Sequence, residues 1–545
     1  MNGEKPLGAF APLRHRVFAV LWFATVIGNI GQWTRDTASA WAMTELSPSP
    51  VMVALVQAAA TLPIFLFSLP AGALADIVDR RRMMVLVQAG LAALSLALGV
   101  AALLGALTPP LLLTLTLLAG TGAALAGPVW QSIVPELVPR PDLKPAVALN
   151  SLGINIARAI GPALGGAVIV GLGVAAAYFL DVATYAVTLA ALVWWKRPPT
   201  TAALPEHLGG AMRAGVRYAL SSAPLKRVLL RAVLFFAPAS CYWALLPLVA
   251  RTEIGGGAAG YGLLLAAVGA GAVGGALVMP RLRARLSAEQ LALLATAGTA
   301  ACTATLALVD TVAAGAAVLA AAGAAWIMML TTLNATAQAV LPNWVRGRGL
   351  AVYLTVFFGT MTAGSLVWGQ IAQTASLDVA LLVAGVAGAV SALFGLTRAL
   401  PPGDEDLAPS HHWAQPVLAG GDAPGGGPIM VTIDYQVPTL AQPAFAAAMR
   451  ELGAIRRRDG AYEWGVMADA AKPERLTEWF LVGSWDEHLR QHDRVSVADR
   501  AVQDRVRGFH IGETPPVVRH LVPLGSATPA AAHQHMRQDA SEDGR

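Results

Sequence analysis

Charge is scarce in this sequence of 545 residues, because Asp, Glu, Lys and Arg together make up only 13% of it. Hydrophobic residues account for 56%, and the mean hydropathy is +0.57. A soluble globular domain usually carries about 25% charge, and a soluble protein of this composition would expose more apolar surface than stays in solution. The composition therefore excludes an ordinary soluble protein and predicts an all-α polytopic membrane protein.

Cysteine is almost missing, since Cys241 and Cys302 are the two that the sequence contains. Both lie in apolar runs, where a cysteine usually serves as a small buried hydrophobe. The sequence has no disulfide framework and no metal-ligand spacing, so we predict neither a metal nor a cofactor. A phosphate-binding loop is absent as well, which argues against ATP as the energy source. The basic N-terminus runs into an apolar segment without a signal-peptide cleavage site.

Long hydrophobic runs, in contrast, fill the first 400 residues. A bilayer core about 30 Å thick is crossed by roughly 20 apolar residues in helical conformation. Twelve runs of this length predict twelve transmembrane helices: 17–43, 51–75, 83–106, 110–134, 147–171, 174–196, 228–250, 260–280, 289–309, 311–338, 349–374 and 377–399.

The basic residues between these helices predict the topology. With the N-terminus placed in the cytoplasm, 21 Lys and Arg residues lie at the cytoplasmic ends of the helices, and Arg251 alone lies in an outside loop. The positive-inside rule therefore predicts a multi-pass protein of the cell inner membrane with both termini cytoplasmic. Because the basic residues lie at helix ends rather than on one patch, nucleic-acid binding is not expected.

An internal repeat divides the membrane region. The segment QSIVPELVPRPDLKPAVAL, beginning at Gln131, has a counterpart in QAVLPNWVRGRGLAV, beginning at Gln338. The spacing between them is close to half the membrane region. It predicts two six-helix repeats, at 1–200 and 228–399, joined by a cytoplasmic loop at 201–227. Transporters built from parallel repeats bind their substrates near the bilayer midplane, between the two halves.

The stretch GALADIVDRRR, between the second and third predicted helices, contains two acids and three arginines. Topology explains the arginines but not the acids, since acidic residues contribute little to orientation. The stretch resembles the loop motif of the major facilitator superfamily, to which Gly72, Asp76 and two of the arginines conform. Ile77 stands where that motif usually has a basic residue, and Asp79 where it usually has glycine.

In that superfamily the loop helps to lock one conformation through charge contacts with the neighbouring half. The resemblance therefore implies a conformational latch at the cytoplasmic side, although a plain topology signal is the alternative. The residues of this predicted latch are Gly72, Asp76, Arg80, Arg81 and Arg82.

A second motif lies in the fifth predicted helix. Gly161, Pro162, Gly165 and Gly166 match the Gly-Pro-x-x-Gly-Gly core that marks exporters in the superfamily. The resemblance implies export, and the alternative is a general small-residue packing face. An arginine that many relatives carry in the fourth helix is replaced by Thr116, so its proton-handling role is not transferred.

Ionisable residues inside a membrane are costly and become functional candidates. Arg35 and Asp36 lie in the first predicted helix, which the resemblance places on the substrate cavity. Asp36 is therefore the leading candidate for proton coupling, with Arg35 favouring its charged form. A static Arg35–Asp36 pair is the alternative. Asp181 is the weaker candidate because the sixth helix is peripheral in the family, and Arg158 is expected to pair with a carboxylate on the cytoplasmic side.

Polar and aromatic residues on the first, fourth, seventh and tenth helices are expected to line the cavity, because those helices line the path in relatives. Such a lining would suit a large, amphipathic and partly aromatic substrate. The residues predicted to form the substrate cavity are Gln32, Trp130, Gln131, Tyr242, Trp243, Asn334 and Gln338.

The chain changes character after residue 400. The first 400 residues carry a net charge of +11 and the remainder −6, which fits two regions in different solvents. Residues 400–428 are predicted to be a linker. Residues 429–523 follow the order β-α-β-β-α-α-β, which predicts a small cytoplasmic α+β domain of the ferredoxin-like kind. Residues 524–545 are predicted to be disordered.

The segment from Arg456 to Arg500 resembles the cytoplasmic tail of the enterobactin-exporter-like transmembrane secretion effectors. In outline it is also similar to antibiotic-biosynthesis-monooxygenase-like domains, and their pairing implies a homodimer through the C-terminal domain. His488 and His492 lie on one helical face. A structural or partner contact is the favoured interpretation, with a metal pair as the alternative.

Together these features predict a secondary active exporter, a proton antiporter that works by alternating access on a small amphipathic molecule such as a siderophore or a drug. Its partners would be the substrate, protons and the lipid bilayer, and multidrug resistance would be a possible outcome. It is not predicted to be an enzyme. The alternative from another class is a membrane-anchored bifunctional protein whose C-terminal domain is a cofactor-free monooxygenase-like enzyme.

Overall fold

The computed structural model describes residues 10–196, 208–410, 413 and 427–523, without the side chains at 69, 72, 73, 75–77, 140, 144 and 208–214. The predicted disordered tail at 524–545 and most of the predicted linker lie outside these residues. The chain divides into two compact units. The first consists of Met1–Leu208, Arg227–Ala337 and Leu350–Pro402, and the second of Gly209–Lys226, Gln338–Gly349 and Gly403–Arg545.

Helices make up the first unit. In its first half they are α1 (Arg16–Leu46), α2 (Pro50–Ile77), α3 (Arg80–Leu103), α4 (Pro109–Ile133), α5 (Leu143–Leu172) and α6 (Val174–Trp194). In its second half they are α8 (Ala223–Thr252), α9 (Gly257–Arg283), α10 (Ala288–Leu306), α11 (Val312–Ala339), α12 (Arg346–Thr374) and α13 (Leu377–Leu396). The helix between the halves, α7 (Leu208–Ser221), lies in the second unit from Gly209 onward.

Eleven of the described helices are long and apolar enough to cross a membrane. The predicted span 289–309 corresponds to α10, which is not among the eleven. It has 19 residues, begins with Glu289 and Gln290 inside its first turn, and contains four threonines. These polar groups lower its hydropathy below that of the other helices.

Short turns join most of these helices, so neighbours in sequence run antiparallel. Proline at the first turn of α2 and α4 fits helix starts, because its missing N–H has no partner there anyway. Gly173 ends α5 with φ of 85°, a conformation that favours glycine.

We call the end of the bundle that carries the α1–α2 and α8–α9 turns the distal end.

Glycines allow the helices to approach closely. A Cβ added at Gly120 of α4 would lie 2.7 Å from the carbonyl oxygen of Ala60 in α2. Gly323 of α11 packs in the same way on the carbonyl group of Val268 in α9. Because α2 and α4 pair in one half of the unit as α9 and α11 do in the other, the two halves have related packing.

The second unit contains a four-stranded antiparallel sheet in the order β2-β3-β1-β4. Burial alternates along β1 and β3, and their buried side chains pack on α14. The elements are β1 (Ile429–Gln436), α14 (Gln442–Asp459), β2 (Glu463–Ala468), β3 (Arg475–Val482), α15 (Trp485–Arg494), α16 (Val497–Arg507) and β4 (Val517–Leu521).

Segments from the middle of the chain complete the second unit. Arg217 of α7 donates to Glu487 of α15 at 3.1 Å. Arg494 of α15 lies over the ring of Trp344, 4.4 Å from its centroid, and Tyr218 donates to the carbonyl oxygen of Val340. The sequence assigns 201–227 to a loop and 338–349 to the membrane region 228–399, whereas the structure places α7 in that loop and groups both segments with the C-terminal domain.

A buried ion pair lies at the centre of the sheet domain. Arg456 donates to both carboxylate oxygens of Glu478, at 3.0 and 3.3 Å. The Trp464 indole N–H donates to the same carboxylate at 3.0 Å, and Glu478 is fully buried. These donors satisfy the buried carboxylate within the domain core, so removing Arg456 alone would leave it without a cation.

Candidate functional site

A cavity of about 340 Å³ lies among the helices of the first unit, between the middle of the bundle and its distal end. Its walls come from both halves. Aromatic rings line much of it, namely Trp33, Trp243, Tyr261, Trp326, Phe357 and Phe358. Polar side chains on the walls include Gln32, Arg35, Asp36, Gln57, Thr116 and Arg158.

Arg35 is shared by two carboxylates. Its Nη2 donates to Asp36 Oδ1 at 2.9 Å, and its Nη1 lies 3.4 Å from Asp181 Oδ2 and donates to the Tyr185 hydroxyl at 3.0 Å. Ser95 donates to Asp181 Oδ2 at 2.6 Å. The Asp181 side chain is fully buried, whereas that of Asp36 is 39% exposed and faces the cavity.

This cluster corrects the sequence view of Arg35 and Asp36 as a pair on their own. Two carboxylates face one guanidinium, so the cluster holds one negative charge in excess when both are ionised. Asp181 lies on α6, which the sequence analysis treats as peripheral, and it is 146 residues from Arg35. Polar residues on α6 at Asp181, Thr184 and Tyr185 follow helical spacing and were the available signal of an inward-facing stripe.

The residues predicted to line the cavity separate into two groups. Gln32 and Trp243 are on its walls. Tyr242 is fully buried beside it, and its ring lies 5.4 Å from that of Trp243 at a tilt of 33°. Trp130 belongs instead to an apolar cluster away from the cavity, where its indole N–H donates to Asn150 at 2.8 Å.

Three more of those predicted residues lie elsewhere among the described residues. Gln131 is exposed at the end of α4. Asn334 is half-buried on α11, off the cavity walls. Gln338 is exposed and belongs to the second unit.

Hydroxyl pairs connect α2 to α12 alongside the cavity. Thr61 and Thr362 are hydrogen-bonded at 2.7 Å, and so are Ser68 and Thr355. Both pairs join the α1–α6 half to the α8–α13 half. Each such bond contributes only about 1 kcal/mol net, and close packing of Gly359 on the Phe65 ring and of Gly369 on Ala54 adds to this contact.

The glycines of the exporter-like motif pack α5 against helices of both halves. Gly161 and Gly165 face α1. A Cβ added at Gly166 would lie 2.8 Å from the Cα of Gly262 in α9, and one added at Gly262 would lie 2.9 Å from the carbonyl oxygen of Pro162. The motif therefore brings the backbones of α5 and α9 into contact near the distal end.

We expect Gly166→Ala to lower the stability of the protein by about 1–3 kcal/mol, because the new methyl group meets backbone that has little room to move. Gly171→Ala, on the same helix, is the matched control, since nothing lies within 4 Å of its added Cβ. Thermal unfolding of the two purified variants in detergent measures the difference. Equal stabilities would show that the α5–α9 contact is not tight.

The predicted latch is described only in part. The side chains of Gly72 and Asp76 lie outside the described part of the chain. Arg80 at the start of α3 donates to Glu136 at 2.5 Å, just beyond the end of α4. This contact lies within the α1–α6 half.

Arg81 caps the end of α6. It donates to the carbonyl oxygens of Leu192 and Val193 at 2.9 and 2.8 Å, where a cation is favourable for the helix dipole. Arg82 is exposed. The contacts of Arg80 and Arg81 stabilise the packing of one half, and a role for Asp76 against the other half stays a prediction.

A chain of three imidazoles lies in the second unit. His488 Nε2 is 2.9 Å from His520 Nε2 and 3.3 Å from His492 Nε2. The sequence indicates His488 and His492 on α15 as a pair. It gives no sign that His520, which lies on β4, joins them. No group of three His, Cys, Asp or Glu residues in the described part of the chain is arranged to hold a metal ion.

The second unit is expected to lose stability in acid. Burial and the neighbouring His492 and His520 lower the pKa of His488 to about 3 from 6.5. The folded state therefore resists protonation, and stability is lost as the pH falls below about 6.5. At pH 5 the loss is about 2 kcal/mol.

Pulse proteolysis of the full-length protein in urea, at pH 7.5 and pH 5.0, measures this loss in the second unit. His488→Phe keeps a ring in place and should show a much smaller difference between the two pH values. Equal wild-type stability at both would contradict the burial of a neutral His488.

Solved transporters share the fold of the helical unit. One is a POT family transporter in complex with 5-aminolevulinic acid, at 12% identity, a TM-score of 0.60, and coverage of 72% of this chain and 97% of that one. Another is a bacterial homolog of the human lysosomal transporter Spinster in an inward-facing conformation, at 14% identity, a TM-score of 0.56, and coverage of 73% and 96%. The first unit thus has the fold of a multi-span membrane transporter.

The family follows from a match along the chain. The model of the transmembrane secretion effectors matches residues 7–528, and the chain belongs to this family. It is also similar to the Staphyloferrin A transporter of Staphylococcus aureus, with 23% identity over 257 residues. That match covers 46% of this chain and 64% of the relative, so the chain spans less than two thirds of that protein's length.

Proposed function

We propose that this protein is a secondary active exporter that exchanges protons for a small amphipathic molecule, of the siderophore or drug class, across the cell inner membrane. The observation that carries the proposal is the Arg35 cluster on the wall of a cavity lined by both halves. The Asp36 carboxylate is exposed to the cavity, while the Asp181 carboxylate is buried and contacts the same guanidinium. The one excess negative charge of this cluster provides a site that a proton can bind to and leave.

The proposed architecture is twelve transmembrane helices in two six-helix repeats, with both termini cytoplasmic. The related packing of α2 with α4 and of α9 with α11 supports the repeat. The excess of basic residues at one set of helix ends supports the orientation. In this topology the distal end faces outside, and the α2–α12 contacts separate and re-form as the halves alternate.

Export is proposed from the motif in α5, whose glycines bring α5 and α9 together, and the similarity to the Staphyloferrin A transporter supports a small-molecule substrate. The matched family and transporters favour this function over the membrane-anchored enzyme considered from the sequence. We propose the latch at Asp76 and a homodimer through the second unit as parts of the same exporter.

Inside-out membrane vesicles from cells without other exporters test the proposal. With fluorescein and ethidium as anionic and cationic probes, we expect one of them to accumulate when the vesicle lumen is acidified, and a protonophore to abolish this accumulation. Accumulation in right-side-out vesicles instead would show import. Accumulation that a protonophore leaves unchanged would rule out proton coupling.

A further inference from the structure

Arg158 has no carboxylate neighbour among the residues that the structure describes. It lies in the middle of α5, on the cavity wall, and its guanidinium is 5.7 Å from the centroid of the Trp33 ring. Its Nε is buried and has no hydrogen-bond partner. The sequence analysis expects a carboxylate partner for it, but among the described residues no Asp or Glu lies within ion-pair distance of Arg158.

The other polar groups on the same walls are only partly satisfied. The hydroxyl of Thr116 makes no hydrogen bond among the described residues, whereas the buried indole N–H of Trp243 lies beside the Tyr242 hydroxyl. Buried donors are normally satisfied, so an unsatisfied arginine on a cavity wall indicates that something else accepts its hydrogen bonds. An arginine can only donate, and the missing partner must therefore offer acceptor oxygens.

The charges of the cavity point the same way. Asp36 is the acid on the walls, and it is already engaged by Arg35, which also serves Asp181. The excess negative charge of the Arg35 cluster offsets Arg158 for the cavity as a whole, but both carboxylates are held by Arg35, so none contacts the Arg158 guanidinium among the described residues. In a site of low polarity such a locally uncompensated charge attracts an anion strongly.

The remaining walls are suited to flat rings. Aromatic surface is presented to the cavity by Trp33, Trp326, Phe357 and Phe358. Aromatic side chains favour stacked or edge-to-face contact with another ring. A cavity of about 340 Å³ has room for a molecule with more than one ring.

We propose that Arg158 is the anion-binding residue of this cavity, and that the substrate is a planar aromatic acid whose oxygens accept hydrogen bonds from Arg158. This deepens the proposed function and rests on it, since it takes the cavity as the substrate site. Arginine suits the task because its planar guanidinium can donate two parallel hydrogen bonds to one carboxylate.

Equilibrium binding to the purified full-length protein in zwitterionic nanodiscs tests the inference. The probes are 2-naphthoate and its uncharged analogue 2-naphthamide, followed by quenching of tryptophan fluorescence. We expect the acid to bind at least about tenfold more tightly than the amide, as a charge-assisted hydrogen bond would give. Arg158→Gln should bring this ratio close to one, and Arg158→Lys should keep part of it.

The matched control is Arg251→Gln, which removes an exposed arginine at the end of α8 and should leave the ratio unchanged. Equal binding of acid and amide to the wild type, or a ratio that survives Arg158→Gln, would overturn the inference. Competition by inorganic phosphate as strong as that of 2-naphthoate would show a general anion site and overturn the aromatic part. Competition by phosphatidylglycerol added to the nanodiscs would identify a lipid headgroup instead and overturn it too.

This binding measurement uses no gradient, so it separates the inference from the proposed function. If 2-naphthoate binds through Arg158 but is not moved by vesicles under a pH gradient, the exporter proposal fails and the anion site stands. If vesicles export ethidium and Arg158→Gln does not change acid binding, the anion site fails and the exporter stands.

Discussion

Arg35→Gln alone is expected to destabilise the protein by about 3–5 kcal/mol, because it leaves the fully buried Asp181 carboxylate without its cation. Asp181→Asn in the same chain should restore most of that loss, since the remaining Asp36 is partly exposed. Thermal unfolding of the purified single and double variants measures both changes. The double variant would be no more stable than Arg35→Gln if Arg35 stabilised the protein mainly through contacts other than Asp181.

The same cluster predicts that Asp36→Asn folds normally. Arg35 and Asp181 then form a balanced pair, so no buried charge is left over. If Arg35 and Asp36 formed a static pair on their own, as the sequence alone allows, Asp36→Asn would be unstable because Arg35 would be left without its carboxylate. Stability and transport therefore separate the two interpretations.

For transport, Asp36→Asn is expected to lose its response to the pH gradient while it still binds substrate. One proton moving through about 100 mV is worth about 2.3 kcal/mol, or roughly a fiftyfold concentration ratio. Proteoliposomes should show that ratio in the wild type and a ratio near one in the variant. A wild-type response in Asp36→Asn would assign the proton site to Asp181, and Asp181→Asn would then be the variant that loses the gradient response.

A disulfide between the halves is expected to stop transport. Thr61→Cys with Thr362→Cys places two thiols where hydroxyl groups are 2.7 Å apart, in a chain whose free cysteines, Cys241 and Cys302, are replaced by alanine. Oxidation should join α2 to α12 and reduce transport more than about tenfold, because the halves can no longer separate along this wall. Dithiothreitol should restore it.

Thr61→Cys alone, in the same background and after the same oxidation, is the matched control, because a single thiol cannot close the cross-link. Its transport should be unchanged. Full transport by the oxidised Thr61–Thr362 protein would mean that α2 and α12 move together.

Much of the helical unit is predictable because a local run of apolar residues is enough to identify a transmembrane helix. The predicted span 17–43 lies within α1, and 228–250 lies within α8. Hydropathy acts residue by residue, so neighbouring positions are enough to find such helices. The local signal is weakest for α10, whose threonines make it less apolar than the other helices.

The site is less predictable because its members meet only after folding. Asp36 is adjacent to Arg35 in sequence, and that pairing is visible at once. Asp181 joins them through the packing of α6 against α1, and His520 joins His488 through the pairing of β4 with β1. Arg158 is recognisable as a charge in a membrane helix, but its lack of a partner depends on every neighbouring side chain.

The second unit also has a consequence for the synthesis of the chain. Arg217 and its partner Glu487 are 270 residues apart, and a ribosome adds about 5–20 residues each second. The helix α7 therefore emerges roughly 14–54 s before the residues that will cover it. Until then its buried side chains, such as Tyr218 under Arg458, have no final partner, and the membrane surface or a chaperone must shield them. Slow translation between residues 226 and 487 would lengthen this exposure and make the nascent chain more vulnerable to proteolysis.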